Sequence, residues 1–489
     1  MDVFSRREFL ERSAILSSVA AMGNFAGSAY AAPEKTSKAV NDKLRVAVVG
    51  VNGRGMSHVA GFLGKNNCEI VTVCDCDEAV IGKAMTSITK AQGKAPKYEK
   101  DVRRVVDDKD IDIVSIATPN HWHALMAIWA LQNGKDVYVE KPVSHNVKEG
   151  RLIVEAAKKY NRICQAGTQS RSNPGMRDAI AHVQSGKIGQ VDLAIGLCYK
   201  NRPSLGVAGG PQKPPASMDY DLWCGPAPLE MPTRNTKRGT VHYDWHWIWN
   251  YGNGDLGNQG IHEMDKARWG LNKSELPNSV VSVGGRFGYK DDGQTANTQV
   301  SLFDYGNSNL IFEVRGLTVD NKFKDASIGN IWVGSEGMVV CPNYSGGAAF
   351  DKSGKKVAEF KGGGDQYHFD NFVKAVRSRN TADQQGHILE GHLSSALCHL
   401  ANISYRLGNE TSFDKDITAF GDSKDANDAV KRMKAHLVAN KVDLSQAIGR
   451  VGPKLAIDPK SETFLGNNAA ANAMLFREYR KGFEVKETV

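Results

Sequence analysis

The sequence predicts an α/β fold in which a doubly wound parallel sheet is followed by an open, mainly antiparallel sheet domain with helices. Two observations predict it. Between residues 44 and 166, short β-branched apolar runs alternate with helical stretches across short links, as in parallel sheets. Beyond residue 167, apolar runs follow one another with turn signals between them, as in antiparallel sheets. We therefore expect one domain at residues 44–166 and a second at 167–489, which ends in a helical extension.

In the first domain, the apolar runs predict strands and the stretches between them predict helices. The strands are expected at residues 44–49, 69–74, 111–117, 136–139 and 162–166. The helices are expected from residue 55 to about residue 65, at 124–133 and at 148–160. This alternation places the carboxyl ends of the strands at one edge, where sheets of this type bind ligands.

The turn after the first strand reads GVNGRG and opens a helix. Gly50 and Gly55 match the first and third glycines of the G-x-G-x-x-G pattern, whereas Asn52 stands at the second and Gly53 follows it. Glycines there let backbone amides approach a pyrophosphate, whose charge the helix N-terminus attracts. We predict that this turn binds a dinucleotide through Gly50, Asn52, Gly53, Arg54 and Gly55.

An acidic residue, Asp75, ends the second predicted strand. A carboxylate at this place accepts hydrogen bonds from the ribose hydroxyls of adenosine and repels a 2′-phosphate. No Arg or Lys follows directly, because the next residues are Cys76, Asp77 and Glu78. The sequence therefore favours NAD over NADP as the cofactor, and the alternative is that Asp75 only caps a turn.

Two further segments carry a resemblance to a known family. The sequence ATPNHWHA at residues 117–124 ends one strand and opens a helix, and EKP at residues 140–142 ends the next strand. Together they resemble the glucose–fructose oxidoreductase/inositol dehydrogenase family, Gfo/Idh/MocA, over residues 44–480. The resemblance implies a Rossmann domain whose Thr-Pro-Asn turn borders the nicotinamide, and a lysine beside the reacting hydroxyl. The further cofactor-binding residues that we expect are Thr118, Pro119, Asn120, His123, Glu140, Lys141 and Gln169.

Lys141 fits this chemistry by its position as well. Oxidation of a secondary alcohol needs proton removal from oxygen as hydride leaves carbon. A lysine at the carboxyl end of a parallel strand faces the ligand crevice, where burial lowers its pKa and makes it a usable base. The alternative is a structural lysine that is paired with Glu140 or another neighbour.

In the second domain, strands are expected at residues 191–199, 280–287, 295–304, 309–314 and 331–340. The resemblance implies that their sheet is both a wall of the substrate site and an exposed dimerisation face, so a dimer or tetramer is expected. Seven prolines predict a long irregular excursion at residues 201–240. Helices are expected at residues 366–377, 387–407, 425–437 and 469–479.

The segment after this excursion reads VHYDWHWIWNY and is dense in aromatic side chains. Sugar rings stack their C–H faces on Trp and Tyr, while His and Asp take hydroxyl groups. We predict that Tyr243, Trp245 and His246 bind a carbohydrate, and the alternative is an aromatic core loop. His242 and His246 have a spacing that suits a metal on a helix, but no carboxylate stands at ligand spacing, so no metal is predicted.

A second motif, GDLGNQGIHEMD, enters a helix and resembles the Asp-x-Gly-x-His-x-x-Asp signature of the family. His262 falls on the signature histidine, Asp265 on the last aspartate, and Asn258 where many members have the first aspartate. Asparagine can hold a hydroxyl group but cannot accept a proton. His262, with an ordinary pKa near neutrality, is therefore the expected proton-transfer partner of Lys141, unless it only packs or caps the helix. The predicted catalytic residues are Lys141, His262 and Asn258, and the predicted substrate residues include Asn258, His262 and Arg171.

The N-terminus predicts export. The sequence SRREFL at residues 5–10 resembles the twin-arginine motif, and AYA at residues 29–31 predicts cleavage after Ala31. We expect a signal peptide at residues 1–31, an extended arm at 32–43 and a periplasmic or otherwise exported protein, the alternative being a cytoplasmic one. The apolar stretch is too short and too rich in small residues for stable membrane insertion.

Charge and cysteine content narrow the partners. The formal net charge is +8, but no Lys/Arg block of the kind that grips nucleic acid occurs. The eight cysteines show no metal-ligand spacing, and export in the folded state removes the need for disulfides. We therefore expect a carbohydrate substrate and no nucleic-acid partner.

Export shapes the expected function, because free NAD should be scarce outside the cytoplasm and the cofactor should be held tightly and recycled in place. One hypothesis is an oxidoreductase that acts on a secondary hydroxyl of a sugar or glycoside. A second is a redox-neutral enzyme that oxidises a ring hydroxyl, eliminates or epimerises beside the ketone, and reduces it again. A third, of another class, is a carbohydrate-binding protein with a vestigial catalytic site, which the Asn258 change keeps open.

Overall fold

The computed structural model describes residues 42–63, 66–232, 241–318 and 322–489. The predicted signal peptide at 1–31 and nearly all of the predicted arm at 32–43 lie outside the described residues. In the first domain the elements are, in chain order, β1 (Leu44–Val49), α1 (Gly55–Phe62), β2 (Cys68–Cys74), α2 (Gly82–Gln92), β3 (Lys97–Glu99), α3 (Val102–Asp107), β4 (Ile113–Ile116), α4 (Asn120–Gln132), β5 (Asp136–Val139), α5 (Val147–Lys159) and β6 (Cys164–Ala166).

These strands form one parallel sheet in the order β3-β2-β1-β4-β5-β6. Val46 and Val48 are fully buried, as expected for a central strand whose two faces are both covered. The predicted doubly wound sheet is therefore confirmed, with β3, α2 and α3 as elements that the sequence patterns did not reveal. Helix α1 ends at Phe62 and not near residue 65, because Leu63 adopts an extended backbone.

The second domain begins with α6 (Pro174–Gln184). Its sheet contains β7 (Val191–Tyr199), β8 (Ser279–Gly285), β9 (Thr298–Asp304), β10 (Asn309–Arg315), β11 (Ile328–Gly334), β12 (Gly337–Cys341), β13 (Gly347–Asp351), β14 (Lys356–Phe360), β15 (Asn409–Ser412), β16 (Ile448–Val451), β17 (Leu455–Asp458) and β18 (Thr463–Phe464). Its other helices are α7 (Tyr220–Cys224), α8 (Ile261–Gly270), α9 (Gln366–Ser378), α10 (Ile388–Arg406), α11 (Lys424–Ala439) and α12 (Ala469–Ala473).

Ten strands of the second sheet follow the order β14-β13-β12-β11-β7-β10-β9-β8-β16-β15. In addition, β17 pairs with β8, and β18 pairs with β17. Only the β7–β10 pair among these described strands is parallel, so the predicted mainly antiparallel sheet is confirmed. The prediction of one strand at residues 331–340 is wrong. The chain turns between Gly334 and Gly337 and pairs β11 with β12, and the apolar residues on both sides of this turn read as one run.

One face of the second sheet is covered by the chain itself. Ala429, Val430 and Met433 of α11 form one buried cluster with strand residues such as Ile195 and Ile311. The expectation of an exposed dimerisation face is therefore wrong for the sheet beneath α11, because the apolar side of this charged helix packs there. The dimer or tetramer itself stays a prediction.

The C-terminal helix predicted at residues 469–479 is wrong beyond Ala473. The chain continues without regular structure, and Phe483 and Val485 pack into the core of the first domain. The hydroxyl of Tyr479 donates to the Glu149 carboxylate at 2.7 Å. Single side-chain contacts of this kind hold the irregular C-terminal segment in place. The periodicity of a helical sequence pattern does not predict such contacts.

Helix α9 also packs on the first domain. The ring of Phe369 stacks on Tyr138 of β5, with centroids 4.9 Å apart, and Phe372 joins the same cluster. This contact brings Asp365, just before α9, to the glycine turn. Among the described residues, no helix combines the length and the apolar content that crossing a membrane requires.

Candidate active site

A cavity of about 630 Å³ opens at the carboxyl ends of the first sheet and is lined by both domains. Most predicted site residues line it. They are Gly50, Asn52, Gly53, Arg54, Asp75, Thr118, Pro119, Asn120, His123, Glu140, Lys141, Gln169, Tyr243, Trp245, His246, Asn258 and His262. Gly55 and Arg171 are the two predicted residues that the structure does not place on its wall.

The glycine turn, residues 50–55, has the shape of a phosphate cradle. Gly50 has a φ of +83°, and a β-carbon there would lie 2.8 Å from the carbonyl oxygen of Ala117. A β-carbon on Gly55 would lie 1.8 Å from the carbonyl oxygen of Gly50, so Gly55 serves close packing of α1 on β1. A β-carbon on Gly53 would meet no atom within 4 Å, so Gly53 leaves room for a ligand.

Asp75 anchors this turn. Its Oδ2 accepts a hydrogen bond from the amide of Val51 at 2.9 Å, and its Oδ1 accepts one from the amide of Asp77 at 3.1 Å. Burial raises the pKa of Asp75, and the two amide donors oppose the shift. The carboxylate thus lies at the end of β2, where a dinucleotide presents its adenosine ribose.

Glu140 is a buried acceptor shared by several donors. Its Oε1 accepts from Arg54 Nε at 2.8 Å and Gln169 Nε2 at 3.0 Å, and it lies 3.2 Å from His58 Nε2. Burial raises the pKa of Glu140, but Arg54 and His58 bring it well below its usual range. Glu140 therefore stays ionised and fixes the cofactor end of the cavity.

Arg54 connects the glycine turn to both domains. Besides Glu140, it reaches Asp365 through Nη1 at 2.6 Å. Its Nη2 is buried and has no hydrogen-bond partner among the described residues. An unpaired buried donor beside the open backbone of Gly53 fits an anionic pyrophosphate, so these residues suit NAD.

Lys141 points across the cavity to the second domain. Its Nζ donates to the backbone carbonyl of Asn258 at 2.7 Å, and only its backbone amide reaches Glu140. Among the described residues, the Lys141 amine is thus bonded to a neighbour in the second domain and not to the Glu140 carboxylate. Burial lowers the pKa of Lys141, and the nearby carboxylate of Glu140 opposes this shift.

Asn258 and His262 flank the start of α8. Asn258 lies in the π-helical turn Leu256–Gly260, and its Nδ2 is buried without a hydrogen-bond partner among the described residues. Burial and the charge of Lys141 hold the pKa of His262 well below its usual value. Burial, the larger of these two causes, therefore favours the neutral imidazole at His262, away from the ordinary near-neutral value of a histidine.

His123 joins the two motifs of the first domain. Its ring nitrogens lie 2.6 Å from the carbonyl oxygen of Pro142 and 2.7 Å from that of Thr118. Burial lowers the pKa of His123, so one nitrogen of the neutral ring donates. His123 therefore fixes the loops on both sides of the cavity as well as lining it.

Arg171 does not reach the cavity, which corrects its assignment to substrate. Its guanidinium is buried and forms a bidentate pair with Asp265, with Nε–Oδ2 and Nη2–Oδ1 distances of 2.8 Å. Glu390 accepts a further hydrogen bond at 2.9 Å. Two carboxylates from α8 and α10 thus neutralise this buried cation, and Asp265 is engaged there and not with His262.

The aromatic segment, residues 241–251, contributes both to the core and to the cavity wall, so each of its two predicted roles applies to part of it. Trp247 and Tyr251 are buried, whereas Tyr243, Trp245 and His246 line the cavity. His246 stacks on Trp245, with ring centroids 3.6 Å apart. Across the described ranges, no three His, Cys, Asp or Glu side chains are grouped so that they could hold a metal ion.

The irregular excursion contains a segment that sequence reasoning missed. Residues 217–223, here called the strap, run across the end of β2. The amide of Glu78 donates to the carbonyl of Ser217 at 3.1 Å, and that of Asp219 donates to Cys76 at 2.8 Å. The indole of Trp122 donates to the carbonyl of Leu222 at 2.9 Å. These contacts enclose the cavity next to Asp75 with second-domain backbone.

Other cavity residues were also missed, because each is isolated in the sequence and carries no motif. The most relevant are Ser170, Asn173, Tyr344, Ser345 and Asp365. Tyr344 meets His262 edge to face, with ring centroids 5.2 Å apart. The eight cysteines are free thiols and six of them are buried.

Comparisons with known proteins agree with this geometry. The profile of the GFO_IDH_MocA oxidoreductase family, NAD-binding Rossmann fold, matches residues 44–168, and its C-terminal alpha/beta domain matches residues 194–437. Two solved structures share the fold. A WlbA dehydrogenase from Bordetella pertussis, solved with NADH and UDP-GlcNAcA, is 18% identical with a TM-score of 0.55, covering 74% of this chain and 97% of that chain. Levoglucosan dehydrogenase, solved with NADH and L-sorbose, is 17% identical with a TM-score of 0.57, covering 74% and 96%.

Two curated relatives match about a third of the chain. A glycosyl hydrolase family 109 protein of Shewanella sp. (strain W3-18-1) is 35% identical over 174 residues, which are 32% of this chain and 38% of the relative. An alpha-N-acetylgalactosaminidase of Shewanella oneidensis is 33% identical over 174 residues, with the same coverage of 32% and 38%. The chain thus matches well under half of the length of these relatives. With profiles of both domains matched, the chain belongs to the Gfo/Idh/MocA family of NAD-binding oxidoreductases.

Proposed function

We propose that this protein is an exported, NAD-dependent oxidoreductase that acts on a secondary hydroxyl group of a sugar or glycoside. The observation that carries the proposal is the position of Lys141. Lys141 follows the end of β5 and lines the same cavity as the glycine turn. Its amine donates a hydrogen bond to the backbone carbonyl of Asn258. The second domain contributes the polar side chains of Asn258 and His262 to the cavity, and these suit a hydroxylated substrate.

The proposed chemistry assigns a separate role to each group. Bound NAD would take the hydride from the carbinol carbon. The lowered pKa of Lys141 favours an unprotonated amine, which accepts the proton of the reacting hydroxyl as the C–H bond breaks. Neutral His262 orients the same hydroxyl, and the amide of Asn258, which is buried and has no partner among the described residues, donates to a neighbouring oxygen.

The strap supports the proposal that the cofactor is held tightly. It covers the end of the cavity next to Asp75 through backbone hydrogen bonds with Cys76 and Glu78. His242 Nε2 adds a contact of 3.0 Å with the carboxylate of Asp77. Release of the adenosine half of a dinucleotide would require these contacts to separate. The anchored Asp75 carboxylate favours NAD over NADP, because it would repel a 2′-phosphate.

A redox-neutral reaction is the second candidate, and the names of the curated relatives favour it. A family 109 glycosyl hydrolase and an alpha-N-acetylgalactosaminidase are 35% and 33% identical to this chain over 174 residues. Oxidation of a ring hydroxyl to a ketone acidifies the adjacent C–H bond. A base then removes that proton, and the electron pair expels the glycosidic oxygen, which takes up a proton and leaves an unsaturated ketone. Water adds across the new C=C bond, and return of the hydride with a proton would restore the alcohol. The lowered pKa of His262 makes its imidazole a weak base, so His262 is suited to orient the substrate and not to remove this proton.

Purified full-length protein tests both candidates. We expect it to contain nucleotide on acid extraction, and the nucleotide to be NAD and not NADP. A panel of sugars should produce an absorbance change in the NADH band, and 4-nitrophenyl α-N-acetylgalactosaminide should release nitrophenol without net NADH if the redox-neutral reaction operates. Absence of nucleotide, of an absorbance change and of nitrophenol would refute both and favour the carbohydrate-binding alternative.

Export is tested separately in cells. Replacement of Arg6 and Arg7 by Lys should keep the protein in the cytoplasm, whereas the native chain should reach the periplasm in folded form. Recovery of the native chain in the cytoplasm alone would refute the export proposal and leave the catalytic proposal standing.

A further inference from the structure

Tyr344 lies at the rim of the cavity, in the turn between β12 and β13, next to the proposed reaction centre. Its ring contacts the edge of His262 at a centroid distance of 5.2 Å. It is 39% exposed, whereas Trp332, Phe303 and Phe312 of the same domain are buried. An exposed aromatic ring beside a polar cavity offers a flat face on which a sugar ring can stack.

The ring is fixed by contacts from α8 and the turn before it. Gln259 Nε2 donates to the Tyr344 hydroxyl, and Lys266 Nζ lies 5.0 Å from the ring centroid. Lys266 is fully buried and also reaches the carbonyl of Asn343 at 3.4 Å. A side chain that is already ordered loses little conformational entropy when a ligand stacks on it.

The cavity wall around Tyr344 includes several polar, uncharged side chains. Ser170, Asn173 and Ser345 contribute hydroxyl and amide groups. The nearby charges of Arg54 and Asp365 form an ion pair at 2.6 Å. Ser345 also lines a second cavity of about 370 Å³, so the surface open to a ligand extends beyond Tyr344, and its charged residues, Lys324, Asp325, Glu359 and Lys361, are balanced in sign. Such a wall suits uncharged hydroxylated ligands that are longer than one ring.

We propose that Tyr344 is the stacking platform of a subsite for a second, uncharged sugar ring, next to the ring that reacts at Lys141. The substrate is then a neutral oligosaccharide or glycoside and not a free monosaccharide. The inference rests on the proposed function for the position of the reacting ring, but it is tested by binding alone.

The test uses full-length Lys141→Met protein, saturated with NAD, on an array of immobilised glycans. The array holds neutral mono-, di- and trisaccharides of hexoses and N-acetylhexosamines, with disaccharides that contain glucuronate. We expect neutral di- or trisaccharides to bind at least tenfold more tightly than their monosaccharides. Added Tyr344→Ala should remove that difference, and Tyr344→Phe should retain it. Tyr367→Ala, which changes a 49% exposed tyrosine outside the cavity, is the matched control.

Equal binding of monosaccharides and oligosaccharides, a preference for glucuronate, or binding that survives Tyr344→Ala would overturn the subsite. Tyr344→Leu keeps bulk without an aromatic face, and should behave as Tyr344→Ala does if stacking is the cause. Hydride transfer by the native chain is a separate measurement. Platform-dependent binding without any hydride transfer would refute the proposed function and leave the subsite intact.

Discussion

The amine of Lys141 donates to the backbone carbonyl of Asn258 at 2.7 Å, across the boundary between the two domains. A carbonyl oxygen orients the amine without the full negative charge that an aspartate would bring. Burial can therefore lower the pKa of Lys141, since the signature carboxylate is absent from position 258. Asparagine at position 258 thus permits a lowered pKa of Lys141. The loss of the signature aspartate does not by itself exclude proton transfer by this lysine.

Replacement of Lys141 by Met should abolish turnover while the cofactor and the sugar still bind. Loss of a general base costs roughly 10²–10⁴-fold in rate. We expect kcat to fall by that factor, with NAD content and sugar affinity within about twofold of the native protein. Lys148→Met, which changes an exposed lysine on α5, should leave kcat unchanged. Unchanged turnover in Lys141→Met would remove this residue from the mechanism.

Replacement of Asn258 by Asp should shift the pH dependence of the reaction. An unprotonated lysine becomes available as pH rises through its pKa, so kcat/KM should rise with pH and level off below the ordinary lysine value of 10.5. A carboxylate beside the amine favours the ammonium and raises that pKa. The rising limb of Asn258→Asp should therefore move to higher pH. Asn258→Ala adds no charge and serves as the control; a shift of equal size in both variants would contradict the electrostatic explanation.

Two glycines of the same turn should respond differently to alanine. Gly53→Ala meets no atom within 4 Å, so the folded protein should be as stable as the native one while its methyl group obstructs the pyrophosphate. We expect at least a tenfold loss of NAD affinity with an unchanged unfolding midpoint. Gly55→Ala places its β-carbon 1.8 Å from the Gly50 carbonyl oxygen and should destabilise the fold by about 1–3 kcal/mol. Equal effects of both variants on stability would refute this division of roles.

The contact between His242 and Asp77, next to the strap, should slow the release of NAD. His242→Ala removes the 3.0 Å contact with Asp77 and opens the wall near Asp75. We expect the dissociation rate of NAD to rise about tenfold, measured as nucleotide lost during repeated gel filtration. His182→Ala changes a histidine on α6 outside the cavity and should retain the nucleotide. Retention by both variants would show that the His242–Asp77 contact does not hold the cofactor.

The sequence was sufficient for those parts of the site that depend on local pattern. The glycine turn, Asp75 and Lys141 are all placed by strand ends, and parallel strands bring their carboxyl ends together. Arg171 was misassigned because its buried partners, Asp265 and Glu390, come from helices distant in sequence. The lowered pKa of His262 could not be foreseen either, because it depends on a three-dimensional neighbour.

The second domain was harder to predict for a related reason. The β11–β12 hairpin has apolar residues on both sides of a short turn, and one continuous strand has the same local pattern. The strap is held by backbone hydrogen bonds with Cys76 and Glu78, just after β2. No residue type in the sequence is diagnostic of such bonds. Tyr344 is held at the cavity by contacts with Gln259 and Lys266, and these residues are distant from it in the sequence.

A buried histidine outside the cavity should make the fold sensitive to acid. His399 of α10 is 4% exposed, and burial lowers its pKa from 6.5 to about 3. The unfolded chain therefore takes up a proton near pH 6.5, whereas the folded chain does not until far lower pH. The contribution of His399 to stability is complete above pH 6.5 and is lost as pH falls towards the folded pKa.

His399→Gln removes this contribution, together with the smaller charge coupling of His399 to His145 and His392. Between pH 7.5 and pH 5, the native chain should lose about 2 kcal/mol more unfolding free energy than His399→Gln, as linkage of one histidine predicts. Denaturant titrations of both proteins at the two pH values measure the difference. Parallel pH dependences would mean that His399 is already protonated in the folded protein or reaches water, which its burial on α10 beside Ser144 argues against.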